Sequence, residues 1–308
     1  DFILDQNLSA IVKGLSLKGT VSLDNTFQET GRGIQDNAGT LAKYIDPETG
    51  FVTYNNNTMG VTNLEWREAT RWTTQSGNVD DGATYRKLFT QLQLNYATKI
   101  ADKHDITAMG LWSRDENARG SMIPSYREDW VFRTTYNYKG KYSLEYNGAY
   151  NGSEKFSADY RFDFFSSGGA SWMISEEKFM KPIKFINTLK LRGSYGQIGD
   201  DGSAPRFAYQ TLWAFGGRTP IGITGEQAEN SPYQWYREQS VGNPNVRWET
   251  VTKKNIALDF GFFENMLSGS IDFFQDDRKD ILSSGGARAV PSYYGAAPPT
   301  FNAGRVKS

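Results

Sequence analysis

The sequence has no cysteine and one histidine, His104. Disulfides, thiol nucleophiles and cysteine metal sites are thereby excluded, and a histidine-built metal cluster or proton relay lacks a second member. No stretch approaches the ~18 consecutive apolar residues of a membrane-crossing helix. The net charge of −1 over 308 residues gives no global field to attract nucleic acid. Aliphatic residues are sparse as well: hydrophobic residues make up 38% of the chain, while aromatic residues alone reach 14%. A soluble core of this size draws more on Leu, Ile, Val and Ala than on Tyr and Phe. The chain starts DFILDQ, without methionine or a signal-peptide pattern, and stops at RVKS as a new segment begins. It reads as an interior piece of a longer polypeptide.

What is present is alternation. In WVFRTTYNYKGKYSLEYNGAY (130–150), Trp130, Phe132, Tyr136 and Tyr138 share one side, and Arg133, Thr135 and Asn137 the other. After Lys139-Gly140-Lys141 the pattern resumes with Tyr142, Leu144, Tyr146 and Tyr150 against Ser143, Glu145 and Asn147. Successive strand side chains face opposite ways, so this is a hairpin with one greasy face and one wet face. The same period-two pattern runs through 88–96, 189–196, 253–260 and 267–273, and less regular strands are expected at 2–12, 15–28, 104–114 and 161–174. One helix is expected at 175–185, with Ser175 as N-cap and Glu176 and Glu177 in its first turn.

The connections come in two sizes. Lys13-Gly14, 100–103, 139–141 and 263–265 are short, and so is the helix-bearing 175–187; 29–83, 115–125, 152–160, 198–246 and 277–304 are long or polar. Outer-membrane barrels place short turns on the periplasmic side and long loops outside. Following the strands through that alternation yields about ten spanning strands and assigns 29–83 to one outer excursion, with NLEWREATRWTTQ (63–75) inside it as a local hairpin. The expected fold is all-β, an antiparallel transmembrane β-barrel with long extracellular loops at about 29–83, 198–246 and 277–304, the whole of 1–308 forming one partial barrel domain. A soluble β-sandwich would instead pack the greasy face on a second sheet. A propeller would show a repeat at a fixed period, which is not seen.

Three stretches carry a family likeness. They are NGAYNGSEKFSADYRFDFFSSGGASWMISEEKFMK (147–181), LKLRGSYGQIGDDG (189–202) and GNPNVRWETVTKKNIALDFGFFENMLSGSIDFFQDDRKDIL (242–282). Together with IVKGLSLKG (11–19) they resemble the barrel of SusC-like TonB-dependent transporters of the Gram-negative outer membrane. The resemblance implies a barrel of about 22 strands enclosing an N-terminal plug. It also implies a TonB-interacting segment ahead of the plug and a SusD-like surface lipoprotein that caps the barrel. Plug and TonB segment are absent from this sequence, which would supply about half the strands. The implied function is TonB-dependent import of an oligomeric nutrient, a glycan or a peptide, across the outer membrane. The alternative is a soluble extracellular β-protein that binds or hydrolyses polysaccharide.

Candidate contact residues cluster in one loop: Trp213, Phe215, Tyr233, Trp235 and Tyr236. Aromatic platforms suit the apolar faces of sugars and peptide side chains, and serve loop packing or a partner interface equally well. GDDGSAP (199–205) and Asp80-Asp81 have the oxygen density of a calcium site without EF-hand spacing, and Asp-Gly pairs are also ordinary turn formers. QDDRKD (275–280) reads as a solvated charge cluster. Glu176 and Glu177 are adjacent and do not face a common substrate, and His104 reads as structural. The sequence therefore implies no catalysis, no cofactor and no resident metal.

Overall fold

A computed structural model of the chain describes residues 1–31, 33–35, 43–54, 73–218, 232–287, 291, 293, 295 and 298–308. Contacts divide it into two compact units: residues 1–23, 88–116 and 125–308, and residues 24–87 with 117–124.

The first unit is dominated by an eleven-stranded sheet. Its strands are β1 (Phe2–Asn7), β2 (Leu15–Thr26), β3 (Tyr85–Ile100), β4 (His104–Arg119), β5 (Ser125–Tyr138), β6 (Tyr142–Ser153), β7 (Phe162–Met173), β8 (Ile186–Asp200), β9 (Glu249–Phe262), β10 (Leu267–Ser283) and β11 (Phe301–Lys307). Spatial order follows chain order from β1 to β11 with no crossover. All ten expected strands are present, and β11 is one more than expected. Among the described residues β1 and β11 each pair on one side only, so the sheet is open at both edges.

Tight turns set the register. Lys139 (φ 51°) and Gly140 (φ 71°) are both left-handed, the hairpin geometry whose twist matches its strands. The resulting pairs are Trp130↔Tyr150, Tyr136↔Leu144 and Tyr138↔Tyr142. Tyr142 then pairs with Trp172 and Tyr150 with Phe164. Further along, Leu191 pairs with Leu258 and Leu258 with Ile271. Along β5 to β10 the alternating apolar residues therefore fall on one face, and Arg133, Glu145, Arg192 and Asp259 fall on the other. On the apolar face, rings lie over glycines of the neighbouring strand: a Cβ at Gly148 would strike the Phe132 ring, and one at Gly269 the Phe260 ring. These rings cover the gaps that the glycines leave in the sheet.

The apolar face is bare. Leu144 is 54% exposed, Ile256 62% and Phe273 72%. Among the described residues no second sheet covers them, which removes the packing that a sandwich requires. The buried hydrophobic cluster is small and lies beside the sheet's long-loop end, where Phe156, Phe165, Ala204, Val246 and Trp248 meet.

The expected helix at 175–185 does not form. Residues Ile174–Glu176 make a single 3₁₀ turn, and Glu177 is already extended at φ −76°, ψ 148°. The Glu177 carboxylate accepts from Tyr142 Oη at 2.7 Å and Lys141 Nζ at 3.3 Å, which ties it to β6. Pro182 has no N–H to continue a helical ladder.

In the second unit, short antiparallel pairs are nested: Glu29–Thr30 with Asn78–Val79, Gly33–Gln35 with Thr73–Gln75, and Lys43–Ile45 with Val52–Tyr54. Of the strand considered at 63–75, residues 63–72 lie outside the described residues.

Candidate functional site

The polar face of the sheet is built from cross-strand charge pairs. Arg133 meets Glu145 at 3.0 Å. Arg192 reaches Asp259 at 3.1 Å and Asp272 at 3.2 Å, and donates to Ser270 Oγ at 3.0 Å. Lys253 meets Asp276 at 3.6 Å. Pairs this exposed add little stability each, ~0–1 kcal/mol, but they fix a wall of donors and acceptors. At the long-loop end this wall frames a cavity of about 730 Å³ lined by Ile198, Asp200, Glu249, Lys253, Asp276 and Arg278. Its groups can hydrogen-bond a polar ligand. Among the described residues no cluster of His, Cys, Asp and Glu is arranged to hold a metal ion.

The segment GNPNVRWE (242–249) ends at Glu249, which lines that cavity. Trp248 is 2% exposed, packs on Phe156 at 5.1 Å and on Phe165 at 5.7 Å, and donates from Nε1 to the Arg161 carbonyl at 3.3 Å. Glu249 is 1% exposed. It accepts from Arg278 Nε at 3.0 Å, from the Leu282 amide at 3.0 Å and from the Ser203 hydroxyl. Sequence reasoning missed this cluster. The signal was there, a Trp-Glu pair at the mouth of a strand inside a recognised stretch.

Three acidic runs take structural roles, and in two of them an aspartate caps a turn amide, Asp80 that of Ala83 and Asp200 that of Gly202. In GDDGSAP, Asp201 accepts from Arg127 Nη1 at 3.0 Å and Ser153 Oγ at 2.7 Å, with Lys155 Nζ at 3.9 Å. Asp200 meets Arg278 at 3.0 Å. These two carboxylates, paired with arginine and lysine, clamp loops to strands. Asp81 accepts from Ser121 Oγ at 2.6 Å, which holds its carboxyl below the usual range, and Asp80 caps the Ala83 amide at 3.1 Å. QDDRKD is not a free solvated cluster. Asp277 pairs with Arg305 at 2.7 Å, Arg278 with Glu249, and Asp280 with Arg247 at 2.7 Å, so the run stitches β10 to its neighbours. The bond to Asp280 raises the Arg247 guanidinium above its ordinary value. His104 is structural in its contacts: Nδ1 lies 2.8 Å from Tyr136 Oη and the ring packs on Tyr138 at 5.0 Å.

The aromatic loop forms a hairpin of its own, Leu212–Arg218 with Gln234–Ser240. Phe215 pairs with Tyr236 and Gly217 with Trp235, with a bulge between them at Gly216. Alternation along the second strand divides the rings between two faces. Trp213, Phe215 and Tyr236 share one, where Phe215 and Tyr236 lie 5.6 Å apart. Trp235 turns to the other and lies over Gly216, where a Cβ would collide with it. Tyr233 precedes the second strand. Trp213 is 60% exposed and Tyr236 60%, so the three-ring face is open to solvent. At its base Asn243 N donates to the Ala208 carbonyl at 2.8 Å, joining the hairpin to the buried cluster.

The family model described as TonB dependent receptor-like, beta-barrel matches residues 4–308. The chain belongs to that family. Its likeness to TonB-dependent receptor P3 of Formosa agariphila is 30% identity over 176 residues, 57% of this chain and 16% of that protein. Its likeness to TonB-dependent receptor SusC of Bacteroides thetaiotaomicron is 31% over 155 residues, 49% of this chain and 15% of SusC. Among solved structures, the RagAB peptide transporter superposes with TM-score 0.63 at 18% identity, over 96% of this chain and 31% of that one. That likeness establishes the fold. This chain thus spans less than a fifth of the curated relatives named, and its place in the family agrees with the resemblance read from its strand motifs.

Proposed function

We propose that the chain is a segment of the wall of a SusC-type TonB-dependent transporter in the outer membrane of a Gram-negative bacterium. The observation that carries this reading is a two-faced sheet whose aromatic rows stand a membrane apart. On the apolar face, Trp172 pairs with Tyr142 near the short turns and Phe162 with Gly152 near the long loops, ten residues further along β7. Ten residues of strand cover about 34 Å. At a tilt of ~40° that is about 26 Å, the height of the apolar band of outer-membrane barrels. Lipid then covers the bare face. The paired charges line the lumen, and further strands continue from the open edges of β1 and β11 toward a closed barrel. The three long connections, about 29–83, 198–246 and 277–304, lie outside the cell.

The whole transporter imports an oligomeric nutrient, a glycan or a peptide, with energy delivered through TonB and with a SusD-like lipoprotein over the mouth. SusC and the RagAB peptide transporter support this by likeness. The exposed rings Trp213, Phe215 and Tyr236, with Trp235 and Tyr233, stand where the substrate enters or the lipoprotein docks. The reading assigns no catalytic step to the chain.

The test uses the full-length protein. It should sediment with outer membranes, require detergent for extraction and bring a surface lipoprotein with it. Cells carrying it should take up labelled oligosaccharide or peptide, and lose that uptake when TonB is deleted. Release into buffer without detergent would contradict the barrel and favour the soluble polysaccharide-binding alternative.

A further inference from the structure

A second cavity opens at the long-loop end of β4–β7. It measures about 390 Å³, and its lining includes Arg114, Tyr126, Glu128, Gly152, Arg161 and Phe162. Register sets its depth. Glu128 pairs with Gly152 one apolar-face step beyond the Trp130↔Tyr150 pair. Those two rings belong to an aromatic row in which Trp112 and Trp130 lie 6.3 Å apart and Tyr150 and Phe162 5.1 Å apart. The cavity begins where that row ends. In the barrel reading, on which this inference rests, it therefore lies at the headgroup level of the outer leaflet.

Most charges around the cavity are already matched. Arg127 is bound to Asp129 and Asp201, each at 3.0 Å. Glu154 is held by Arg206 at 2.7 Å. Glu128 accepts from both indoles, Trp112 Nε1 at 3.2 Å and Trp130 Nε1 at 2.9 Å. Arg114 and Arg161 are different. Among the described residues neither has a carboxylate at ion-pair distance. Arg114 lies over the Tyr126 ring at 5.5 Å, and the Arg161 Nε–H is buried without an acceptor. A buried donor with no acceptor is costly, and a guanidinium donor more so. Guanidinium forks match the tetrahedral oxygens of phosphate.

We propose that this cavity binds the phosphate of an outer-leaflet lipid, with Arg161 and Arg114 donating to its oxygens. The lipid's chains then run down the apolar face over Tyr150, Phe162 and Phe164. Glu154 is ion-paired with Arg206. Glu128 keeps its charge, since its two donors are neutral indoles, but Arg114 and Arg161 outnumber it by one and leave the cavity net positive toward an anion. The cavity would also orient the barrel against the leaflet, since phosphates lie at one depth.

The experiment uses full-length protein in detergent, exposed to vesicles of phosphatidylglycerol or of an uncharged, phosphate-free glycolipid. Bound lipid is counted by native mass spectrometry. The unmodified protein should retain phosphatidylglycerol and not the glycolipid. Arg114→Gln with Arg161→Gln should weaken that retention roughly thirty-fold, as two cations facing an anionic headgroup imply. Equal retention by the double variant would overturn the proposal. Equal retention of both lipids would overturn it as well. If millimolar inorganic phosphate strips the lipid from the protein at unchanged detergent concentration, the ligand is free phosphate and the lipid assignment fails. Strand content by circular dichroism and insertion into vesicles are measured on every sample. Failure of the unmodified protein to insert would refute the barrel, whereas insertion with indifferent arginines would refute this site alone.

Discussion

Arg192 spans Ala257. The two are directly paired between β8 and β9, Ala257 is paired in turn with Asp272 on β10, and Arg192 reaches Asp272 at 3.2 Å. The guanidinium bridge therefore closes over the alanine, which is 1% exposed although it lies on the wet face of the sheet. Alternation alone reads Ala257 as an open luminal position where a large polar side chain costs little. The geometry predicts the reverse. Ala257→Arg should displace Arg192 from Asp259 and Asp272 and destabilise the protein. Ser194→Arg, at an exposed position on the same face, should be close to neutral. Leu258→Arg should cost about 2–4 kcal/mol near the bilayer midplane. Unfolding of full-length protein from lipid vesicles in denaturant orders the three. A neutral Ala257→Arg would show that the bridge does not form.

Topology can be read with single cysteines, because the chain has none. Glu48 and Tyr293 stand in the long connections, and Met266, 87% exposed, follows the left-handed turn Phe263-Glu264-Asn265 at the opposite end. Glu48→Cys and Tyr293→Cys in the full-length protein should react with an impermeant maleimide on intact cells. Met266→Cys should react only after the outer membrane is opened. Labelling of Met266→Cys on intact cells would invert the assignment.

Glu177 sits outside the strands and takes a proton less readily than an ordinary glutamate. The Tyr142 hydroxyl is the main cause, helped by Lys141 and the Trp172 indole. A carboxylate with a depressed folded-state pKa stabilises above its unfolded-state pKa and loses that contribution as pH falls through the folded-state value. The anchoring of 174–186 to β6 should therefore hold at neutral pH and persist into the ordinary carboxylate range. It should loosen below that range. Hydrogen exchange of this segment should rise with acid in the native protein. In Glu177→Gln it should be fast already at neutral pH. A flat profile in the native protein would contradict the anchoring.

The tryptophans divide into two kinds. Trp248→Ala removes a buried ring from the hydrophobic cluster with Phe156, Phe165 and Val246 and should cost about 3–5 kcal/mol. Trp213→Ala with Trp235→Ala touches exposed rings and should leave stability nearly unchanged. If the hairpin docks the lipoprotein, that pair should instead release it in a pull-down, since each interface tryptophan can be worth about 2 kcal/mol or more. If it receives substrate, ligand titration should weaken while the complex stays whole. Loss of neither would leave the rings with a packing role.

Much of the fold was legible in residues 130–150, because period-two alternation and a Lys-Gly turn specify a hairpin with little outside help. β11 was not, because Phe301-Asn302-Ala303-Gly304 is short and hardly alternates. The helix signal at Ser175-Glu176-Glu177 was a sound local pattern defeated by partners far along the chain, Lys141 and Tyr142. The charges of 275–280 looked solvated for the same reason: Arg247, Glu249 and Arg305, their partners, are neighbours through strand pairing and not through sequence. The rings at 213–236 were visible as a set. Which of Trp235 and Tyr236 joins Trp213 and Phe215 follows from the pairing register, Phe215 with Tyr236, which residue types alone do not announce.

The central claim is that lipid covers the apolar face, and nitroxide accessibility measures this directly. Labels are placed one at a time at Leu144→Cys, Ile256→Cys and Ser194→Cys in full-length protein reconstituted in lipid. Leu144 and Ile256 lie on the apolar face at 54% and 62% exposure, and Ser194 lies on the polar face. Relaxation by oxygen, which concentrates in hydrocarbon, should dominate at 144 and 256. Relaxation by a water-soluble nickel chelate should be weak there and stronger at 194. Strong nickel relaxation at 144 and 256 would place the aromatic face in water and contradict the account.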